Sequence, residues 1–309
     1  MINFRYHIVS LMAVFIALSV GIAVGVSLSP SVDEGIITQA EQDREQVNDL
    51  RAELDRRNAL DTYRNAYEQQ VGDVVLSGEL SETRVALVTM PDAPGAVREA
   101  LETAVEDAGG QVVADIEVGE EVFDPQRIEQ VDDDLAALRE TLGYTDGMSP
   151  AYKFGLALGR AVAAKGPGTR DADSQRVGQV LSSSGLADVR GDVNDTAQLV
   201  IIVTAAATTP PEDTEVLEAH VQAAVALKRQ DSAAVVLAGP DSNGIEGTDV
   251  LTARTTSDAQ NLLSTVDVAD LPSGITTTVL AGREQVRGGQ GHYGALARTD
   301  SALPSLPVR

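Results

Sequence analysis

The sequence contains no cysteine and no tryptophan, and aromatic residues make up only 3% of its 309 residues. The lack of cysteine excludes disulfides, thiolate metal sites, iron–sulfur clusters and cysteine nucleophiles. Basic residues are also scarce, because 23 Lys and Arg stand against 47 Asp and Glu and give a formal net charge of −24. Without a basic patch interleaved with aromatic residues, the sequence predicts no nucleic-acid partner.

Metal ligands and catalytic motifs are equally sparse. The three histidines are far apart: His7 lies at the start of an apolar segment, His220 inside a helical pattern and His292 among glycines. No phosphate-binding loop with the required Lys and Ser or Thr is present. We therefore expect no cofactor, no metal site and no enzymatic activity, although a serine–histidine constellation assembled from distant residues stays open.

The longest apolar run, His7 to Leu28, carries no acidic residue, lysine or arginine. It is long enough to cross a hydrocarbon core of roughly 30 Å, and predicts a single-pass anchor over residues 1–30. Arg5 precedes the run and Asp33 and Glu34 follow it. The positive-inside rule then places the amino end in the cytoplasm and the bulk of the chain outside the cell membrane. A cleaved signal peptide is the alternative, but its apolar core is usually only about 7–15 residues long.

Small residues recur at every fourth position of the anchor, at Ala13, Ala17, Gly21 and Gly25. Such a stripe allows two helix backbones to approach closely, so it favours self-association or pairing with another membrane protein. Small residues are also common in membrane helices that do not pair.

Residues 31–78 are polar and charged, which predicts a helical stalk. Apolar residues follow the spacing of a coiled-coil seam at Ile36, Ala40, Val47, Leu50 and Leu54. A second apolar row, from Leu60 to Val74, has a different phase and indicates a stutter near residues 55–59. The alternative is a single amphipathic helix that packs on its own downstream domain.

From residue 79 onward, short β-branched runs alternate with helical patterns. The predicted strands are Arg84 to Met90, Gln111 to Ile116, Leu199 to Thr204, Ala233 to Ala238 and Thr276 to Leu280. The predicted helices lie near Gly95 to Ala108, Ile128 to Leu142, Pro150 to Ala164, Asp173 to Ser184, Asp213 to Arg229 and Ser257 to Ser264. Nearly continuous apolar strands predict a three-layer α/β domain with a largely parallel sheet over residues 79–294. A flexible tail is expected over residues 295–309.

Ligands of such sheets bind beyond the carboxyl ends of the strands. Two of the predicted loops at that edge carry Pro-Asp, at Asp92 and Asp241, and the loop at residues 204–211 carries threonines. These side chains would surround a crevice for a cation or a partner. The alternative is ordinary turn and cap chemistry, which Pro-Asp also favours.

The segment Gly289-Gln-Gly291-His-Tyr-Gly294 has the spacing of a dinucleotide-binding fingerprint. That fingerprint needs a preceding strand and a helix that opens on it, whereas here only a polar tail follows. We therefore interpret the match as coincidental.

Two terminal blocks carry a family resemblance. The first block, at residues 2–11, reads INFRYHIVSL, includes Arg5 and His7, and runs on to Gly21-Ile-Ala-Val-Gly25. The second block, at residues 288–294, reads GGQGHYG and includes Gly289, Gly291, His292, Tyr293 and Gly294. Together they resemble the MctB-like copper transport proteins of actinobacteria and relatives, along nearly the whole chain. The resemblance implies copper efflux and homeostasis, described in mycobacteria as a pore in the outer membrane, and gives the two blocks no role.

A corynebacterial branch of the same family, SteB, resembles a division factor. It pairs through its anchor and coiled coil with the membrane protein SteA and influences peptidoglycan hydrolysis. Two hypotheses follow. The first is copper transport or homeostasis through oligomerisation and protein–protein contacts rather than catalysis. The alternative is a scaffold or adaptor, with a SteA-like protein or a peptidoglycan hydrolase as partner, that regulates cell-wall hydrolysis and cell division without direct copper chemistry.

Overall fold

The computed structural model describes residues 4–27, 30–163, 168–191, 195–231, 233–240 and 246–306. It divides the chain into two compact units, Met1–Arg64 and Asn65–Arg309. Asp241 and the side chains of Arg5 and Ile36 lie outside the described part.

The first unit begins with helix α1, Phe4–Ser27. Its segment His7–Gly25 has a mean hydropathy of 2.5 and no buried residue, so it is long and apolar enough to cross a membrane. The four small residues of the predicted stripe, Ala13, Ala17, Gly21 and Gly25, are all exposed on this helix. A membrane anchor is therefore supported, while the side on which the rest of the chain lies stays a prediction.

Helix α2, Pro30–Leu76, begins in the first unit and ends in the second. It is a single helix of 47 residues and continues through residues 55–59, where the sequence indicates a stutter. Val47, Leu50 and Leu54 are exposed to 44%, 57% and 56%. The predicted helix is confirmed, and its pairing as a coiled coil stays a prediction.

Within the described residues of the second unit, seven strands form one sheet in the order β3-β2-β1-β4-β5-β6-β7. Their bounds are β1 Arg84–Thr89, β2 Gln111–Val118, β3 Ala187–Gly191, β4 Leu199–Val203, β5 Ala234–Ala238, β6 Ser264–Val266 and β7 His292–Tyr293. Every neighbouring pair is parallel except β2 with β3, which is antiparallel. The predicted, largely parallel sheet is confirmed.

Helices cover both faces of the sheet. Their bounds are α3 Gly95–Asp107, α4 Ile128–Ala136, α5 Arg139–Leu142, α6 Pro150–Val162, α7 Ala172–Ser183, α8 Thr214–Asp231, α9 Asp249–Thr255 and α10 Pro272–Val286. One apolar cluster joins the sheet to α3, α10 and the end of α2, and the other joins it to α4 through α9. This is the predicted three-layer α/β arrangement.

Alternation along the central strands explains why both clusters are apolar. Val85 and Leu87 of β1 belong to one cluster, and Ala86 and Val88 belong to the other. On the second face, α6 and α8 approach so closely that a Cβ on Gly155 would lie 2.1 Å from the carbonyl oxygen of Ala223. Only glycine fits at this crossing.

The predicted strand Thr276 to Leu280 is wrong, because these residues lie inside α10. Three consecutive threonines suggested a strand, since β-branched residues favour one. In the helix each of their hydroxyls donates to the carbonyl oxygen four residues earlier, as Thr277 does to Ser273 at 2.7 Å. Pro272 occupies the first turn, where proline favours helix initiation. Packing of Val279 and Leu280 against the sheet then overrides local propensity.

The predicted helix Ser257 to Ser264 is also wrong. This segment holds a 3-10 turn, Ala259–Asn261, and then enters β6. The predicted helix Ile128 to Leu142 is divided into α4 and α5. Strands β6 and β7 were not predicted because runs of three and two residues are too short for a clear pattern. Strand β3, ADVRG, was not predicted because it is mostly polar and exposed.

Candidate functional site

A crevice of about 330 Å³ lies beyond the carboxyl ends of the parallel strands. The loops that follow β1, β2, β4 and β5 form its walls. The structure brings the predicted Asp92 and Thr208 together at this edge, along with side chains that sequence analysis did not place there. The carboxylates and the imidazole that line the crevice are those of Asp92, Glu120, Asp124, Glu212, Asp249 and His220.

His220 and Asp249 are the best-defined pair in the crevice. His220 lies on α8 and Asp249 begins α9, and their Nδ1 and Oδ1 atoms are 2.9 Å apart. Their side chains are only 12% and 4% exposed. Because a carboxylate only accepts hydrogen bonds, Nδ1 carries a proton, and in the neutral imidazole Nε2 then keeps its lone pair. The Phe123 ring packs edge-on against the imidazole with centroids 4.3 Å apart, which holds the ring in place.

A small cavity of about 10 Å³ adjoins the crevice and shares Phe123, His220 and Asp249 with it. Met90, directly after β1, and Thr204, directly after β4, line this small cavity, and most of its other lining residues are apolar. The Thr204 hydroxyl is buried and has no hydrogen-bond partner among the described residues. A buried hydroxyl without a partner costs about 1–3 kcal/mol, so this atom marks a position for a further polar group or ion.

The electrostatics of the crevice favour cations. Among the described residues it is lined by several carboxylates and by no lysine or arginine, and the whole chain carries a formal charge of −24. Such a concave acidic surface raises the local concentration of cations. In the part of the chain that the structure describes, however, no group of three or more His, Asp or Glu side chains is arranged to hold a metal ion. A metal ion in this region would therefore have fewer than three His, Asp or Glu side chains as ligands.

His292, in the glycine-rich motif, is fully engaged in the fold. Its Nδ1 accepts from the Thr265 hydroxyl at 3.0 Å, and its Nε2 donates to the carbonyl oxygen of Gln260 at 3.2 Å. Burial, reinforced by the Arg254 charge, lowers the pKa of His292. Both ring nitrogens are occupied, so His292 offers no free ligand position.

Tyr293, Gly289 and Gly291 also make structural contacts. The Tyr293 hydroxyl donates to Glu284, and burial raises the pKa of that hydroxyl. The Gly289 amide donates to the Glu284 carbonyl at 2.9 Å, and the Gly291 carbonyl accepts from the Thr265 amide at 3.1 Å. The motif follows helix α10 rather than a strand, as expected for a coincidental match to the dinucleotide fingerprint.

Arg254 and Asp267 seat the segment that follows the motif. The Arg254 guanidinium donates to Asp267 at 2.6 Å and to the carbonyl oxygens of Tyr293 and Ala297 at 2.8 Å each. Asp267 also accepts from the amides of Ala295 and Leu296. Gly294 has a φ of +129°, and a Cβ there would lie 1.9 Å from Asp267 Oδ1. In this structure the carboxyl-terminal family block is thus part of the scaffold at the sheet edge.

The amino-terminal family block lies in the other unit. His7 is exposed on α1, as are the small residues of the stripe. The structure brings these residues to no cavity among those described.

Sequence analysis missed the pairing of His220 with Asp249, the carboxylates of Glu120, Asp124 and Glu212, and the cavity contact of Met90, whereas Thr204 belongs to the predicted loop at residues 204–211. His220 and Asp249 are 29 residues apart and come together only through the packing of α8 on α9. The sequence signal that could have located Asp249 is the helix start at Thr248, whose hydroxyl caps α9 by accepting a hydrogen bond from the Leu251 amide.

Comparison with known proteins confirms the family resemblance. Residues 1–304 match a family model described as "Copper transport outer membrane protein, MctB". Proteins named "Copper transporter MctB" from Mycobacterium bovis and Mycobacterium tuberculosis are each 28% identical over 311 residues, which covers 95% of this chain and 96% of the relative. The similarity therefore includes the apolar helix α1 and the α/β domain.

Proposed function

Because this chain belongs to the MctB family of copper transport proteins, we propose that it acts in copper transport or homeostasis as a membrane-anchored protein with its α/β domain outside the cytoplasm. The observation that carries this proposal is the family match over residues 1–304, which includes the apolar helix.

We propose that the protein acts through oligomerisation and protein–protein contacts. A single apolar helix cannot enclose a channel by itself, so transport across a membrane would need several copies or a partner. Two features support assembly: the exposed stripe of small residues on α1 and the exposed apolar residues Val47, Leu50 and Leu54 on α2. Covering the apolar residues of α2 contributes about 25 cal/mol per Å² removed from water, whereas helices in the membrane associate through the close packing that small residues allow.

The proposal includes no catalytic step. Of the side chains that line the small cavity with His220, only Thr204 carries a hydroxyl that could act as a nucleophile. Nucleophilic catalysis requires a hydrogen bond between that hydroxyl and the imidazole, and Thr204 makes none within the described residues. The His220–Asp249 pair is thus better suited to holding a ligand than to activating a hydroxyl.

The exposed apolar residues of α2 also favour the second candidate function, a scaffold for cell-wall hydrolysis and division. In that case the helix would pair with a SteA-like membrane protein or with a peptidoglycan hydrolase, as the family resemblance implies. The two functions differ in their effect on cellular copper, because only the first predicts that loss of the protein changes the copper content of the cell.

The test is deletion of the gene in its own host, with total cellular copper and growth at graded copper concentrations as readouts. We expect the deletion strain to retain more copper and the full chain to reverse the effect. Unchanged copper with altered peptidoglycan hydrolysis would overturn the copper role and support the scaffold. Complementation with a full chain carrying lysines at Val47, Leu50 and Leu54 shows whether assembly through α2 is required.

A further inference from the structure

We propose that the small cavity is a copper(I) site in which His220 Nε2 and the Met90 thioether are the protein ligands. This inference rests on the proposed function, which supplies copper as the cargo. It deepens that function by assigning the metal to one oxidation state and one position in the fold.

Of the histidines in the α/β domain, only His220 has a ring nitrogen that is free to bind a metal ion. The chain has three histidines. His7 lies on the apolar helix α1, and both ring nitrogens of His292 are occupied by Thr265 and Gln260. His220 uses only Nδ1, because its Nε2 accepts no hydrogen bond from the described residues. The Nε2 lone pair is therefore available where His220 lines the two cavities.

The methionines point to the same position. Met12 lies on α1, and Met148 packs on the core without lining the small cavity or the crevice, whereas Met90 is 7% exposed and lines the small cavity together with His220. A thioether is a soft ligand that selects copper(I), and imidazole also suits copper. Copper(I) is stable with two or three ligands, so it does not need the larger ligand groups that the described residues lack.

Two further contacts fit a metal at Nε2. Histidines that bind metals through one nitrogen commonly donate the other ring N–H to a carboxylate, which fixes the ring and raises its basicity. Asp249 takes that place, 2.9 Å from Nδ1. Thr204 is 1% exposed, and its hydroxyl oxygen, which has no hydrogen-bond partner among the described residues, lines the same cavity and supplies a weak third donor.

The size and polarity of the site select a bare ion. A cavity of about 10 Å³ has room for one sphere the size of a water molecule and is too small for an ion with its hydration shell. The apolar lining disfavours a divalent ion, because removing a double charge from water costs more than removing a single one and the described residues offer no group of three or more His, Asp or Glu ligands to offset it. The carboxylates of the adjoining crevice attract cations towards this position. A site with only two main ligands also releases its ion more readily than a closed site with four ligands.

The test uses the purified full chain in detergent, without oxygen, with copper(I) supplied from its bicinchoninate complex. We compare the natural chain with His220→Asn, Met90→Leu and, as a matched control, Met148→Leu. Asparagine keeps an N–H for Asp249 but lacks Nε2, and leucine nearly conserves the volume of methionine. We expect one copper(I) per chain, at least about tenfold weaker binding in the first two variants, and unchanged binding in the control.

Copper X-ray absorption of the natural chain provides a measurement that does not depend on variant folding. We expect one sulfur and at least one nitrogen neighbour. A shell of nitrogen and oxygen only, or equal affinity in all four chains, overturns the site. A chain that binds no copper(I) but lowers cellular copper also overturns it and leaves the proposed function standing. Binding through His220 and Met90 without any change in cellular copper supports the site and overturns the proposed function.

Discussion

Asp249 accepts a hydrogen bond from His220 Nδ1 at 2.9 Å across the junction of α8 and α9. The carboxylate is 4% exposed and the imidazole 12%, so water competes little for this bond. The contact fixes which ring nitrogen carries the proton and leaves the Nε2 lone pair available for a ligand.

Replacing Asp249 with asparagine tests this positioning role. An amide N–H can donate to Nδ1 and stabilise the opposite tautomer, which places the proton on Nε2. We expect copper(I) affinity to fall about 10–100-fold, as is usual when the partner of a ligating histidine is lost. Chelator competition measures the affinity, and ¹⁵N-histidine NMR identifies the tautomer.

Asp258→Asn is the control for this variant, because Asp258 pairs with Arg229 on the exposed surface. We expect it to change neither readout. Natural affinity together with a natural tautomer in Asp249→Asn would contradict the positioning role.

Arg254→Met should strongly destabilise the α/β domain. Arg254 and Asp267 form an ion pair with side chains 0% and 2% exposed. Removing one partner of a buried pair leaves the other charge uncompensated and costs about 3–5 kcal/mol. Denaturant unfolding followed by circular dichroism measures the loss. Arg229→Met, at an exposed pair, should change stability little, and an equal loss in both variants would rule out this explanation.

Gly294→Ala should loosen the carboxyl-terminal segment. A Cβ at this position would meet Asp267 Oδ1 at 1.9 Å, and the φ of +129° disfavours any L side chain. We expect a loss above about 2 kcal/mol and faster proteolysis after residue 294. Gly95→Ala is the control, because a Cβ there has nothing within 4 Å. Equal proteolysis of the two variants would show that Gly294 does not hold this segment.

Folding stability should depend on pH through His292. Burial lowers the pKa of His292 in the folded chain, whereas the unfolded chain keeps a value of about 6.5. The unfolded state therefore binds the proton first. The stabilising contribution is complete above about pH 6.5 and is lost as the pH falls through the lowered pKa.

His292→Gln should remove part of this acid destabilisation, measured as unfolding free energy at a series of pH values. His7→Gln, on the apolar helix α1, should keep the natural slope. A slope that is unchanged in His292→Gln would assign the pH dependence to other groups.

Lysines at Val47, Leu50 and Leu54 should abolish pairing through α2 while the α/β domain remains folded, because charges cannot be buried in a helix seam. Light scattering in detergent and cross-linking in membranes measure the pairing. The matched control places lysines at Gln46, Asn48 and Asn58, which are exposed polar positions of the same helix. Intact pairing in the first variant would exclude this seam as the interface.

Local pattern was sufficient for elements with long, uniform periodicity. The apolar run from His7, the charged helix α2 and the buried strands β1, β2, β4 and β5 were all predicted within a few residues of their observed bounds. The two helices keep one composition over many positions, and each of the four strands is a run rich in apolar and β-branched residues, so neighbours in the sequence are enough to define them. The two terminal blocks likewise sufficed to identify the family.

Tertiary contacts decided the rest. Thr276 to Leu280 became helical because the α10 face packs on the sheet, and the two-residue strand β7 exists because β6 lies beside it. The site depends on the same kind of contact, because Met90, Thr204, His220 and Asp249 come from four separate segments. No local period links them. Only the parallel sheet, which places the ends of β1 and β4 next to the junction of α8 and α9, brings their side chains around one cavity.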